Sequence, residues 1–281
     1  MTFRTAVGWI VWVGRDQEGV TTPERAARPL LVCDGVYRSF YGVHALAGAD
    51  LAVREGTITG LIGPNGAGKT TLFNCISGMI PPERGRIVFD GIEIGGLPPH
   101  RITRAGLIRT FQIARGFPRL TVLENLLLYG AGQPGESLWT AISGGGRPRE
   151  RALLDRAFAV AERLNLAHVG NNPASDLSGG QKKLLEIGRA LMTDPKLILL
   201  DEPIAGVNPT LALEIGEHLH RLREEGLSFL IIEHHMDAIA RLCDPVVVMA
   251  EGRKLAEGPF AEIAARDDVQ EAYMGRRKWA S

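Results

Sequence analysis

The chain has 281 residues and carries 32 basic and 32 acidic side chains, so its formal net charge is zero. This length can bury one sizeable core, or a core with a subdomain, and the balanced charge offers no basic field for nucleic acid. The three cysteines, Cys33, Cys75 and Cys243, lack metal-ligand spacing, which suits packing roles in a reducing compartment. The apolar run Ala6–Val13 is too short to span a bilayer and no small-residue cleavage site follows it, so we expect a soluble, cytosolic chain without a signal peptide.

The N-terminal part of the chain divides into an extension and a β-rich segment. Residues 1–30 carry turn and charge residues without a sustained period, and we expect them to form a disordered N-terminal extension. Short β-like runs separated by glycines follow from Leu31 to Ile62. A further β-like segment, Gly85–Phe89, ends at Asp90-Gly91, a dipeptide typical of a hairpin turn.

The segment GPNGAGKT fits the phosphate-binding pattern G-x-x-x-x-G-K-[ST]. It follows the strand-like run Thr57–Ile62 and precedes the helix-like run Leu72–Ile76, which is the context that the pattern requires. Backbone N–H groups of such a loop converge on phosphate oxygens, Lys69 reaches the β- and γ-phosphates, and the Thr70 hydroxyl holds magnesium. The pattern predicts that the chain binds and hydrolyses a nucleoside triphosphate. The residues expected to contact it are Gly63, Pro64, Asn65, Gly66, Ala67, Gly68, Lys69, Thr70 and Thr71.

The second half of the chain turns from helical patterns to an α/β alternation. Residues 112–177 are predicted to be mostly helical, with a Gly- and Pro-rich stretch that predicts a mobile loop around Ser137–Ile142. Continuous apolar runs, typical of strands buried on both faces of a parallel sheet, follow at Leu197–Leu200, Leu227–Ile232 and Val246–Met249. Between the first two, Asn208 is expected to cap a helix that ends at Gly226.

Polar residues follow the strands of this predicted sheet. The phosphate loop, the pair Asp201-Glu202 and the pair Glu233-His234 each come directly after a strand-like run. Since ligands of open α/β sheets lie beyond the carboxyl ends of the strands, we expect these groups to converge. Asp201 is placed to bind magnesium, Glu202 to act as general base toward a water, and His234 to contact the γ-phosphate. Each alone could be a solvated strand end or a structural histidine, and we assign no role to His235.

A second candidate phosphate contact is the sequence LSGGQ, which begins at Leu177. Ser178, Gly179 and Gly180 would expose a hydroxyl and backbone donors at the start of a helix, where the helix dipole favours a phosphate. Taken alone, the same residues would equally fit a plain helix N-cap.

Together these motifs resemble those of the ATP-binding cassette (ABC) ATPases, from about Leu31 to Gly275. By that resemblance GPNGAGKT is the Walker A motif, LILLDEP is the Walker B strand, and His234 is the switch histidine. Gln112 is then the Q-loop residue that senses magnesium and the attacking water, and Tyr41 stacks on adenine, although a single aromatic could also belong to a core. LSGGQ is the family signature, whose nucleotide contacts would be Ser178, Gly179, Gly180 and Gln181.

The resemblance implies an α/β fold with a RecA-like parallel-sheet core, an antiparallel β subdomain and an α-helical subdomain at about residues 112–180. The ABC ATPase domain would cover residues 31–275, followed by a C-terminal tail at 276–281. Two cassettes would enclose two ATP molecules, each held between the Walker A motif of one chain and the signature of the other. The sequence departs from the family at Asn208, where most members have an aspartate, which puts that carboxylate's contacts across the dimer in doubt.

A closer resemblance is to the ATPase subunits of branched-chain amino acid uptake systems. It rests on IIEHHM, on AGVNP, on VQEAYMG (Val269–Gly275) and on the block Arg109–Leu127, and the insert around Leu138-Trp139 is similar to that of the larger of the two ATPases. The resemblance implies a peripheral subunit at the cytoplasmic face of the plasma membrane. Its partners would be a second ATPase, two permease subunits and a periplasmic or extracellular substrate-binding protein.

Other readings of the sequence stay open. The lipopolysaccharide-export ATPase has closely related motifs, and relatives of the uptake branch carry amides, urea or aromatic acids. A soluble ABC protein acting on DNA or ribosomes would need a coiled-coil insert, tandem cassettes or basic arms, none of which the sequence contains. A regulatory subunit without turnover is disfavoured by the presence of Glu202, Gln112 and His234.

Overall fold

The computed structural model describes residues 29–110, 117–130 and 147–274. Within these ranges the strands form one antiparallel sheet and one mainly parallel sheet. The strands are β1 (Pro29–Phe40), β2 (Val43–Arg54), β3 (Ile58–Ile62), β4 (Arg84–Phe89), β5 (Ile92–Glu93), β6 (Leu107–Arg109), β7 (Leu197–Asp201), β8 (Ser228–Ile232), β9 (Val246–Ala250) and β10 (Arg253–Gly258). The α-helices are α1 (Lys69–Ile76), α2 (Pro99–Arg104), α3 (Val122–Leu127), α4 (Arg147–Arg163), α5 (Gly179–Leu191), α6 (Pro209–Glu224), α7 (Met236–Leu242), α8 (Phe260–Ala264) and α9 (Asp267–Met274).

The larger sheet has the strand order β10-β9-β3-β8-β7-β6 and is parallel from β9 to β6. The strands predicted from apolar runs are confirmed at its centre, where every residue of β3 and β8 is buried. Successive side chains of β8 enter two different cores: Phe229 and Ile231 pack in one, and Leu230 and Ile232 in the other. Burial on both faces is the physical reason for the continuous apolar runs in the sequence.

The N-terminal β-rich segment differs from the predicted series of short runs. Strands β1 and β2 are each 12 residues long and pair with each other in one hairpin. The chain continues through Gly35 and Gly48, whose φ angles are 53° and 95° and which lie where the register between the strands shifts. The glycines therefore form bulges in long strands, and the prediction that they separate short strands was wrong.

The hairpin predicted at Asp90-Gly91 is confirmed. Strands β4 and β5 pair antiparallel with Phe89 opposite Ile92, so the turn has two residues. Both have positive φ, 46° at Asp90 and 79° at Gly91, which is the geometry of a type I′ turn.

The structure places two boundaries differently from the sequence. Strand β1 begins at Pro29, and Leu30 is buried, so the last two residues of the expected extension belong to the sheet. Helix α5 packs against α3 and α4 and continues to Leu191, beyond the boundary at 180 expected for the helical subdomain.

Some of the sequence predictions concern residues outside the described ranges. They are the expected extension up to residue 28, Gln112, Ser137–Ile142 and the tail at 276–281. Among the helices of the described ranges, none combines the length and apolar character that crossing a membrane requires.

The helix predicted after Asn208 is confirmed as α6. The Asn208 side chain accepts a hydrogen bond from the Leu211 N–H at 2.9 Å, and Pro209 occupies the first helical position. At the other end, Gly226 has a φ of 97° and its N–H donates to the Arg223 carbonyl. In this chain the residue that departs from the family's aspartate is therefore a helix N-cap.

We expect Asn208→Ala to lower the free energy of unfolding by about 1 kcal/mol, because the Leu211 N–H loses its acceptor. Asn208→Asp should keep the stability of the original chain, since a carboxylate also caps and is favoured by the helix dipole. Chemical denaturation of the three proteins measures both effects. Equal stability of the alanine variant and the original chain would show that this cap contributes nothing.

Candidate nucleotide site

The predicted phosphate loop connects β3 to α1, as the sequence indicates. Gly66 and Gly68 have φ angles of 80° and 99°, a conformation that side chains other than glycine rarely adopt. A Cβ atom at Gly63 would overlap the Met249 carbonyl oxygen, and one at Gly68 would overlap the Ala45 carbonyl oxygen. The loop can therefore take this path only with glycine at these positions.

Lys69, the first residue of α1, folds back over this loop. Its ammonium donates hydrogen bonds to the carbonyl oxygens of Gly63 at 2.7 Å and Pro64 at 2.9 Å. Burial lowers the pKa of Lys69, and the negative charges of Glu202 and Asp201 partly oppose that shift. A cation thus lies on the loop, close to the carboxylates of Asp201, the last residue of β7, and Glu202, which follows it.

Asp201, at the end of β7, is held by a partner that the sequence patterns did not single out. Arg109, at the end of β6, contacts the Asp201 carboxylate at 3.1 Å in an ion pair that is mostly buried. The same guanidinium also donates to the Asn74 side chain on α1. Arg109 thus links Asp201 to Asn74 on α1, and Thr70 lies exposed in the first turn of the same helix. A hydroxyl and a carboxylate are oxygen donors of the kind that magnesium takes, so these residues fit the expected ion.

Glu202 and His234 come together at the ends of neighbouring strands, as predicted. The His234 Nδ1 atom lies 3.3 Å from the Glu202 Oε1 atom. Glu202 has a φ of 52°, a costly conformation for this residue type, and its N–H donates to the Ile232 carbonyl at 2.9 Å. Strained residues of this kind cluster at functional sites.

Glu233 is a buried carboxylate beside this pair, and the sequence patterns gave it no separate role. Only 1 % of it is exposed, and it accepts hydrogen bonds from the backbone N–H groups of Ile204, His234 and His235. The His235 ring also contacts it, and the rings of His234 and His235 lie 4.3 Å apart. A glutamate at the end of an otherwise apolar strand was the one signal in the sequence for this position.

Tyr41 lies at the tip of the hairpin between β1 and β2. Its side chain is fully exposed, and with Gly42 it forms a two-residue turn in which both φ angles are positive. The alternative that Tyr41 belongs to a core is excluded by this exposure. An exposed ring on this turn is free to stack on a planar ligand.

The LSGGQ segment forms the N-terminus of α5. Ser178 is the N-cap, its hydroxyl accepts from the Gln181 N–H, and the Gln181 side chain accepts from the Ser178 N–H. Gly180 is buried, and a Cβ atom there would overlap the Leu211 side chain of α6. The segment lines a cleft of about 390 Å³ together with Gly206–Asn208. It thus lies beside the loop that follows Glu202. Gln112, which we expect to contact magnesium and the attacking water, is outside the described residues.

Comparison with known proteins decides the family. The model of the ABC transporter family matches residues 46–205. The chain belongs to the ABC transporter family. It is 42 % identical over 246 residues to the probable branched-chain amino acid transport ATP-binding protein LivG of Archaeoglobus fulgidus, covering 88 % of this chain and 95 % of that protein. It is 41 % identical over 256 residues to the LivG of Methanocaldococcus jannaschii and 38 % identical over 252 residues to that of Escherichia coli, each match covering 89 % of this chain and 99 % of the relative.

Solved structures agree with this assignment. A nucleotide-free ATP-binding cassette from an ABC transporter superposes with a TM-score of 0.77 at 39 % identity, over 88 % of this chain and all of that one. The ADP conformation of a cassette of an ABC transporter gives a TM-score of 0.78 at 39 % identity, over 89 % of this chain and all of that one. The expected ABC cassette fold, with its parallel core and antiparallel sheet, is confirmed, and so is the expectation that the chain is an ATPase of this family.

Proposed function

We propose that this ABC cassette is the ATP-hydrolysing subunit of an importer for branched-chain or related amino acids. The observation that carries the solute class is the agreement of relatives from archaea and bacteria. They are 38–42 % identical, are matched over 95–99 % of their own length, and are named as ATP-binding proteins of branched-chain amino acid transport. The geometry of the site supports the ATPase chemistry independently of these names.

ATP would bind with its phosphates on the loop Gly63–Thr71 and its adenine on Tyr41. The donors are the loop N–H groups and the Lys69 ammonium, which would exchange its two carbonyl acceptors for phosphate oxygens. Magnesium would be held by Thr70 and Asp201, with Gln112 as a further contact. When bound, the ion neutralises charge on the phosphate oxygens. Arg109 would keep the Asp201 carboxylate oriented.

Hydrolysis would follow from the contact between Glu202 and His234. The Glu202 carboxylate accepts a proton from a water as that water attacks the γ-phosphorus, and the bond from this phosphorus to the bridging oxygen of ADP breaks. His234 would hold the γ-phosphate and the Glu202 side chain in one arrangement, which the 3.3 Å distance between the two side chains supports. Lys69 would stabilise the charge that develops on the leaving oxygen.

A second cassette, identical or related, would complete each site. Ser178, Gly179, Gly180 and Gln181 would contact the γ-phosphate of the nucleotide held by the partner. The N-terminus of the 13-residue helix α5 supplies the positive end of a helix dipole there. ATP would then join the two cassettes, and its hydrolysis would release them.

The membrane partners would contact the helical subdomain. Exposed apolar side chains of this subdomain include Phe117 and Phe158, each half exposed, together with Leu128, Tyr129 and Leu154. Exposed apolar groups of this kind mark protein contacts when they form a continuous patch. The chain would lie at the cytoplasmic face of the plasma membrane, bound to two permease subunits and working with a substrate-binding protein.

A pull-down of the tagged chain from its native membranes in mild detergent tests this function, with mass spectrometry of the partners and an ATPase assay of the complex. Recovery of two permeases, a second ATPase and an amino-acid-binding protein, with ATP turnover, is the expected result. Recovery of lipopolysaccharide-export components would replace the solute class but leave the ATPase. A binding protein specific for amides, urea or aromatic acids would move the solute within the uptake branch. A complex without ATP turnover would contradict the proposed chemistry.

Phe158→Asp should abolish recovery of the permeases in this experiment, because a charge replaces an exposed apolar contact. Ile92→Asp is the matched control, since Ile92 is also half exposed but lies on the β4–β5 hairpin. The control should recover the permeases as the original chain does. Undiminished recovery with Phe158→Asp would remove the helical subdomain around this residue from the proposed interface.

A further inference from the structure

Glu233 lies where the backbone pairing between β7 and β8 ends. The last residues that pair across these strands are Asp201 and Ile232, and the Glu202 N–H makes a final bond to the Ile232 carbonyl. Beyond this point strands β7 and β8 continue into separate loops. The loop after β7 carries Glu202, and the loop after β8 carries His234. Any further connection between the loops has to come from side chains.

The Glu233 carboxylate supplies that connection with both of its oxygens. Oε1 accepts from the Ile204 N–H at 3.2 Å, in the loop after β7. Oε2 accepts from the N–H groups of His234 at 3.0 Å and His235 at 3.4 Å, in the loop after β8, and lies 3.1 Å from Nδ1 of His235. Both loops are thus attached to one buried group. Hydrogen bonds to a buried carboxylate are among the stronger ones in proteins.

We infer that Glu233 is a positioning residue for ATP hydrolysis, which fixes the loop carrying Glu202 against the loop carrying His234. This inference rests on the proposed function, in which Glu202 and His234 act on the water and the γ-phosphate. Their contact at 3.3 Å joins two exposed or partly exposed side chains, whereas the Glu233 bonds join the backbones behind them. A displacement of about 1 Å at a catalytic group can cost on the order of a hundredfold in rate, so such a constraint matters.

A metal site is the other arrangement that these residues suggest. The ligating atoms of Glu233, His234 and His235 lie within 4.8 Å of one another. However, Oε2 of Glu233 already accepts from two backbone N–H groups and contacts the His235 ring, so an ion would have to displace these bonds and leave partly buried N–H groups without their acceptor. The hydrogen bonds therefore account for the cluster without an ion.

Glu233→Gln tests the inference, because the amide keeps one acceptor oxygen but turns an NH2 group toward the donors of the other loop. We expect kcat for ATP hydrolysis to fall about tenfold or more while KM for ATP stays within about twofold, since the phosphate loop is untouched. Glu233→Asp keeps both acceptors on a shorter side chain, so its kcat should lie above that of Glu233→Gln. Hydrogen exchange should rise in both loops together in Glu233→Gln.

Ser228→Ala is the matched control, at the opposite end of β8. Ser228 is also buried, and its hydroxyl accepts from the Gly56 N–H at 2.9 Å, far along the strand from the two loops. This variant should lose thermal stability without losing kcat. If it lowers kcat as much as Glu233→Gln does, the effect belongs to the stability of β8 and the inference is wrong.

The other outcomes separate this inference from the proposed function. If the unsubstituted protein has no ATPase activity in its complex, the proposed function is contradicted. If the unsubstituted protein hydrolyses ATP and Glu233→Gln has the same kcat, the proposed function stands but the positioning role is wrong. If Glu233→Gln does not fold, Glu233→Asp decides between the two outcomes. A lowered kcat at unchanged KM supports the positioning role. A kcat and a hydrogen exchange of both loops equal to those of the unsubstituted protein refute it.

Discussion

Glu202→Gln should leave ATP binding unchanged and slow ATP hydrolysis at least about a hundredfold, as loss of a general base does. The glutamine has nearly the shape of the carboxylate, so the φ of 52° and the N–H bond to Ile232 can persist. Its amide cannot accept the proton of the attacking water. The phosphate loop and Lys69 are unaltered, so the affinity for ATP should stay.

The consequence for assembly is a second, independent measurement. If ATP joins two cassettes and hydrolysis separates them, the Glu202→Gln variant should form a lasting dimer with ATP and magnesium, visible by light scattering. Glu257→Gln is the control, because Glu257 is a surface carboxylate on β10 that pairs with Lys254. It should hydrolyse ATP and dissociate like the original chain. Normal turnover in Glu202→Gln would remove Glu202 from the role of general base.

The positions of the acidic and histidine side chains follow from the sequence for a simple reason. Buried parallel strands appear as continuous apolar runs, and a polar residue directly after such a run must lie at the carboxyl edge of the sheet. Asp201 lies directly after such a run, and Glu202 and His234 each lie one residue further on. The structure places Glu202 beside His234 and both carboxylates near Lys69. The apolar runs and the polar residues that follow them were sufficient to predict where these side chains lie, because the sheet itself brings the strand ends together.

The partners of these residues could not be predicted in the same way. Arg109 contacts Asp201 because β6 is the neighbour of β7, and β6 has only three residues, too few for a periodic signal. The role of Glu233 depends on which N–H groups remain unpaired when β7 and β8 separate, and that is a property of the folded backbone. The prediction that Gly35 and Gly48 separate short strands was wrong because a glycine can either end a strand or form a bulge. Only the pairing with the neighbouring strand distinguishes the two cases.

Lys69→Ala should weaken ATP binding at least about a hundredfold, because charged hydrogen bonds contribute about 1.5–3 kcal/mol each and the ammonium is expected to make two to phosphate oxygens. Lys69→Arg should not restore binding. The guanidinium is planar and longer, and cannot occupy the place between the Gly63 and Pro64 carbonyls that the ammonium fills. Calorimetric titration with ATP measures the affinity of each variant.

The ligand-free stability of Lys69→Ala separates a binding defect from a folding defect. Burial lowers the pKa of Lys69, so keeping its charge in the loop opposes folding and is offset by the two carbonyl bonds and the nearby carboxylates. Removing the side chain should therefore change the melting temperature little, while the rise in melting temperature that ATP causes is lost. Lys196→Ala is the control, since Lys196 forms a surface ion pair with Asp90 and should keep the full rise. An ATP affinity of Lys69→Ala close to that of the original chain would mean that the loop backbone alone binds the phosphates.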